Sequence, residues 1–143
     1  MILLDTDVLT LVQRVDSPAG LRIRARIAEL PADEHAATTI ITYEEQIRGW
    51  FLRLSKATGM DDQNAVYDRI LKHIDNYRRV VVLPFNRPAA DHFERLRKQK
   101  IRIGTPDLKI AAIALSLTAT LITRNLHDFA KVPDLRIEDW TKT

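Results

Sequence analysis

Cysteine is absent from the sequence. That excludes disulfides, thiol nucleophiles and cysteine-ligated zinc, and it is compatible with the cytosol. No apolar run reaches the roughly 18 residues of a transmembrane helix. The opening Met1-Ile2-Leu3-Leu4-Asp5 has no basic start and carries an acid where a signal peptide would continue apolar. It reads as a first β-strand of a cytoplasmic protein with no membrane contact. The four histidines, His35, His73, His92 and His127, show no H-x-H or H-x-x-x-H spacing, so they read as helix or surface residues and not as a ligand set. No repeat, low-complexity tract or linker breaks the chain.

What is present fits one domain over 1–143. A chain of 143 residues can bury a real core. Hydrophobic residues make up 45% and charged residues 29%, an ordinary balance for a globular protein. The net charge of +3 and pI near 9.4 lean toward an anionic partner.

Short β-branched or apolar runs alternate with helical patterns. Strands are expected at Met1–Leu4, Ala36–Thr42, Val80–Leu83 and Ala119–Thr123, with an edge strand at Leu135–Ile137. Helices are expected over Val8–Val15, Pro18–Leu30, Tyr43–Ser55, Asn64–Tyr77 and Arg87–Lys100, with a helical turn at Asn125–Phe129. Lys56–Asp62 reads as a polar break. This order predicts an α/β architecture of three layers, with a central, mostly parallel sheet of four to five strands and helices on both faces.

The most informative stretch begins at Ile103-Gly104-Thr105-Pro106-Asp107. Gly104 gives a permissive turn, Thr105 can cap, and Pro106 suits the first helical position. From Leu108 to Leu117 the helix is apolar on almost every side and should be buried. Asp107 lies over Ile110, Ala111 and Ala114 and so faces inward. A lone first-turn Asp can simply complement the helix dipole. A buried carboxylate otherwise needs a partner.

Other acids fall at matching places. In open α/β sheets, ligands bind beyond the carboxyl ends of the strands. The first strand–helix junction carries Asp5 and Asp7, the second Glu44 and Glu45, the fourth Asn125 and Asp128. Helix geometry separates the glutamates. Glu44 lies one turn before Arg48, an i,i+4 pair on a solvated face. Glu45 lies one turn before Gly49 and two before Leu52, on the sheet-facing side, with room beside the carboxylate. Asn125-x-x-Asp128 matches a capping box, which is compatible with metal contact. Clustered carboxylates are tolerated when a cation neutralises them, and oxygen-only ligands favour Mg²⁺ or Mn²⁺. The basic run Arg95–Arg102 leads to the Asp107 turn. It is either a solvated helix end or a grip on a phosphate backbone. Thr6, Lys109, Arg124 and Arg102 adjoin the acids as candidate substrate contacts.

Four segments in order, Leu4–Asp7, Thr42–Gly49, Ile103–Ala112 and Leu121–Phe129, together with the closing Val132–Trp140, make the chain resemble PIN-domain ribonucleases of the kind found as VapC toxins in VapBC toxin–antitoxin pairs. The resemblance implies a Mg²⁺- or Mn²⁺-dependent endoribonuclease with metal ligands at Asp5, Glu45, Asp107 and the position of Asn125, Asp128 standing close by as a further catalytic candidate. It also implies an RNA substrate, a homodimer and a cognate VapB-like antitoxin. The chain departs from the family pattern at Asp7, usually Asn, and at Asn125, often Asp.

Two other readings compete. Asp5-Thr6-Asp7 after a strand resembles the D-x-D of haloacid-dehalogenase-type phosphatases, but Leu9 stands where Thr or Val is expected and the chain is short for that family's cap. A non-catalytic PIN-like module binding RNA or protein is the second, opposed by the intact acids. The apolar segments Leu21–Leu30 and Phe51–Leu54 are candidate dimer or antitoxin surfaces, with core packing as the simpler explanation for any one residue.

Overall fold

Apolar residues on successive strand positions give the sheet two covered faces. In the computed structural model, which describes residues 1–142, strands β1 (Ile2–Leu4), β2 (Ala36–Thr39), β3 (Val82–Leu83), β4 (Thr120–Ile122) and β5 (Arg136–Glu138) form one parallel sheet in the order β3-β2-β1-β4-β5. Leu3 pairs with Leu121 and Leu4 with Ile122 in register. Because side chains alternate across a strand, Leu3 and Leu121 point to one face and Ile2, Leu4 and Ile122 to the other.

Helices α1 (Thr6–Gln13) and α2 (Pro18–Ala28) cover the second face with Val8, Leu9 and Ile23. The first face takes α5 (Arg87–Lys98) and α6 (Thr105–Ser116). In α6 the five residues Ile110–Ala114 are all fully buried, and their alanines allow close approach to the strands. Helices α3 (Ile40–Lys56) and α4 (Gly59–Asn76) pair with each other beside β2. The four-residue α7 (Leu126–Phe129) follows β4. Trp140 fastens the chain's end. Its indole N–H donates to Glu138 at 2.6 Å, and the Arg26 guanidinium lies 3.9 Å from its ring centroid.

Several boundaries differ from the sequence reading. The second strand stops at Thr39, because the Thr39 hydroxyl accepts the Thr42 N–H at 3.1 Å and starts a helix there. The β-branched run Ile40–Thr42 is therefore helical, a case of capping overriding local propensity. The polar break shrinks to Ala57–Thr58, and α4 opens at Gly59 with φ +80, a left-handed angle that glycine tolerates. Gly104, not Thr105, caps α6. Of the Leu21–Leu30 segment, Ile23 is buried and Ile27 and Leu30 pack against the same core, so Leu21, 62% exposed, remains as its large apolar residue on the surface.

The direction of α5 moves the basic run. After β3 the helix descends from the carboxyl end of the sheet, and residues 99–104 climb back before α6 descends in turn. Arg95 and Gln99 consequently line a cavity of about 250 Å³ with Thr118, Ala119 and Arg136, at the far end of α6 from Asp107. Thr120 there bonds to Met1, at the amino end of the sheet. Adjacency in sequence did not mean adjacency in space: of this run only Arg102 returns toward the acids, its carbonyl accepting from Lys131 at 3.3 Å.

Candidate functional site: an acidic cluster at the carboxyl edge of the sheet

The chain turns from β1 to β2 on one side and reaches β4 on the other, so the crevice beyond β1 and β4 is the switch point of this sheet. Asp5 stands there. Its Oδ1 accepts the Val8 N–H at 2.9 Å and caps α1, its own N–H donates to Ile122 at 3.1 Å, and its Oδ2 accepts from the Thr123 hydroxyl at 2.5 Å. Each carboxylate oxygen thus has one partner supplied by the fold. Burial pushes its carboxyl above the usual range, opposed by the Thr123 and Val8 bonds.

Glu45 is half-buried on α3 and accepts from the Thr6 hydroxyl at 2.5 Å. Thr6 and Thr42 are 3.1 Å apart, and Thr39 donates to Thr42 at 3.4 Å. With its proton committed to Glu45, Thr6 can only accept from Thr42. The hydroxyls thus point in one sequence, Thr39 to Thr42 to Thr6 to Glu45, and fix the direction of the Glu45 side chain. Glu44 is exposed and pairs with Arg48 at 2.6 Å.

Asp107, half-buried on the first turn of α6, is pushed up to about 6 by burial and then by Glu45, Asp5, Asp128 and Asp7. Those neighbours come from three distant segments: the β1–α1 junction, α3 and α7. Among the described residues no cation pairs with Asp107. Asp7 points outward, 71% exposed, with Arg124 at 3.8 Å. Asn125 accepts the Asp128 N–H at 3.4 Å and donates to Asp128 Oδ2 at 3.0 Å, a closed capping pair. The Asn125 bond, helped by Lys131, holds the Asp128 carboxyl below the usual range.

The candidate substrate contacts separate. Arg124 and Arg102 lie at the rim of the acids. Lys109 is turned away, its ammonium 5.8 Å from the Phe85 ring centroid and 6.0 Å from that of Phe93. Thr6 spends its proton on Glu45. Among the described residues no three His, Cys, Asp or Glu side chains stand close enough together to hold an ion as they are placed. The donor set is nevertheless all oxygen and carries excess negative charge, the chemistry that suits a hard divalent cation. Thr123 and Thr42 had no role in the sequence reading. Both are fully buried hydroxyls at the carboxyl side of strands, and only the pairing of β4 with β1 brings Thr123 to Asp5.

The PIN domain family model matches residues 2–135. Ribonuclease VapC1 of Haemophilus influenzae (strain R2866) is 36% identical over 125 residues, covering 84% of this chain and 85% of the relative. The tRNA(fMet)-specific endonuclease VapC of Salmonella typhimurium is 39% identical over 66 residues, covering 43% of this chain and 50% of the relative. A chain of the VapBC-1 structure from nontypeable Haemophilus influenzae superposes with a TM-score of 0.74 at 33% identity, covering 99% of this chain and 100% of that one. With its acids gathered at the switch point of a parallel sheet and the family model spanning all but its ends, this chain belongs to the PIN-domain family.

Proposed function

We propose that the protein is a divalent-metal-dependent endoribonuclease acting as the toxin of a VapBC-type pair. The observation that carries this reading is Asp107, whose carboxyl is driven up to about 6 by burial and by acids converging from elsewhere in the chain. A carboxyl perturbed by burial and by specific charged neighbours, set in a crevice, is the mark of a candidate functional site. Relatives that carry ribonuclease names support the substrate class.

Asp5, Glu45 and Asp107 would hold the cation, with Asn125 as a neutral neighbour. Bound there, Mg²⁺ or Mn²⁺ would supply a lowered pKa for water and a counter-charge for the phosphate. Asp5 is the rigid member, pinned by Val8 and Thr123, and Glu45 is aimed by Thr6. Arg124, half-exposed beside Asp7, meets the substrate phosphates at the rim. Outward-facing Asp7 leaves a D-x-D phosphatase without its second inward acid.

The partner surfaces lie on α3 and α4. Phe51, Tyr67, Leu71 and Ile74 are each more than half exposed, and large apolar groups in such number favour cover by another chain. A VapB-like antitoxin and a second copy are the proposed occupants, in keeping with solved relatives that are VapBC complexes.

The test is single-turnover cleavage of a total-RNA pool in Mg²⁺, Mn²⁺ and EDTA, beside thermal denaturation in the same buffers. Cleavage requiring the ion and a midpoint rising with its concentration are expected. Undiminished cleavage in EDTA with no midpoint shift in millimolar Mn²⁺ would remove the metal from this reading.

A further inference from the structure

The chemistry above leaves unused a large cavity that adjoins the acids. About 530 Å³ opens between α1, α3 and α4, and Thr6 and Glu45 form part of its wall. That volume suits a ligand of nucleotide size. Arg14, Arg53, Arg69 and Lys72 line it, with Asp16 as the one acid besides Glu45. Among the described residues none of these four cations has an ion-pair partner.

Two buried polar atoms in the lining lack partners, Gln13 Nε2 and His73 Nε2, and His73 is only 3% exposed. The orientation of Gln13 follows from a chain of commitments. The Thr10 hydroxyl donates to the Thr6 carbonyl at 2.8 Å, so its oxygen can only accept. Gln46 must therefore turn its amide nitrogen to Thr10, at 3.1 Å, and that nitrogen also donates to Gln13 Oε1 at 3.0 Å. The Tyr77 hydroxyl completes the set by donating to Gln46 Oε1 at 2.6 Å. Gln13 is left presenting its N–H groups with no acceptor. A buried donor without an acceptor is costly and calls for an explanation.

Beside these atoms is a flat platform. The Arg53 guanidinium lies 4.8 Å from the Trp50 ring centroid. Nucleobases stack on both aromatic rings and guanidinium planes. Gly49, one helical position away, leaves open space where a side chain would stand.

We propose that this cavity is a nucleotide subsite, which holds one nucleotide of the RNA next to the bond that is cut. The base lies on the Trp50–Arg53 platform, an acceptor on its edge faces the Gln13 amide, and its phosphate sits among Arg69 and Lys72. The proposal rests on the nuclease reading and extends it to substrate selection. A protein segment is the weaker fit. To be held by the carboxylates it must be cationic, and unpaired cations line this approach. A nucleotide offers an anion, a planar face and an acceptor edge together.

The experiment has two arms. In the first, tryptophan fluorescence is titrated with each nucleoside 5′-monophosphate and with a short random-sequence RNA, in EDTA. Saturable quenching is expected, absent in Trp50→Phe and weakened roughly tenfold when Arg69 and Lys72 are both changed to Met. Both side chains are exposed on α4, so that variant should keep the fold. In the second arm, cleavage sites in a random RNA pool are sequenced in Mg²⁺ for the parent and Gln13→Met. A base preference next to the cut that flattens in the variant supports the subsite. Absent quenching, or an unchanged preference in Gln13→Met, overturns it. Loss of a copurifying antitoxin with unchanged RNA behaviour also overturns it and gives the cavity to a protein partner. If the parent fails to cut RNA yet quenching saturates and is lost in the variants, the nuclease reading falls while the nucleotide site stands.

Discussion

Thr123 donates its hydroxyl to Asp5 Oδ2 at 2.5 Å across 118 positions of sequence. The bond links the ends of β4 and β1 and fixes one carboxylate oxygen of the acidic cluster. Thr123→Val keeps the shape and removes the donor. Leaving Asp5 short of a partner in a buried place should cost about 1–3 kcal/mol and raise its carboxyl further. Thr123→Ser should restore most of both. Urea denaturation and the acid limb of the cleavage pH profile measure the two effects. Equal behaviour of the Val and Ser variants would leave the hydroxyl without a role.

Glu44 and Glu45 are neighbours with opposite surroundings. Glu45→Gln should lower cleavage by orders of magnitude, since it neutralises a charged oxygen that Thr6 aims into the cluster. Glu44→Gln should lose only an exposed pair with Arg48, with stability changed by under about 0.5 kcal/mol. Comparable loss of cleavage in both folded variants would contradict this division.

Asp107 links stability to pH with a definite sign. Its carboxyl, raised to about 6 from 3.8, binds a proton in the folded chain where the unfolded chain has lost it. Stability in EDTA therefore falls as pH rises from about 4 to about 6, then levels off. Asp107→Asn should flatten this slope and match or exceed the parent at pH 7, by about 1 kcal/mol after discounting for partial exposure. RNA cleavage should fall by orders of magnitude in the same variant. Paired urea titrations at pH 5 and pH 7 provide the check, and a variant less stable than the parent at pH 7 would return Asp107 to a helix-dipole role.

Two glycines should respond in opposite ways. A Cβ on Gly20 would stand 2.0 Å from the Leu11 carbonyl oxygen, where α1 and α2 touch through backbone. Gly20→Ala should destabilise by about 1–3 kcal/mol or more. Gly49→Ala meets nothing within 4 Å and should gain about 0.5–1 kcal/mol from helix propensity. Thermal midpoints of the two variants, measured side by side, decide the matter.

Much of the fold was legible because its signals are local. The alternation of strands and helices, the buried character of α6 and the two faces of α3 all follow from periodicity within about a dozen residues. The Glu44–Arg48 pair at 2.6 Å is such a local consequence. Glu45 and Asp107 could be singled out by the same local periodicity, and Asp5 by its place at the first strand–helix junction and by the family resemblance. Boundaries were less legible, as at Ile40–Thr42, where a single Thr39 cap converts a β-like run into helix.

The sequence by itself determined the elements, the inward face of each helix and the kind of atoms at each helix start, because these depend on neighbours a few positions apart. Tertiary structure decided which of those atoms meet. The pairing of β4 with β1 delivers Thr123 to Asp5. The downward course of α5 carries Arg95 away from Asp107. The meeting of α1 with α3 turns Thr6 toward Glu45 and leaves Gln13 without an acceptor. Each depends on side-chain packing between distant segments, and a strand's neighbours are chosen by the whole core and not by its own few residues.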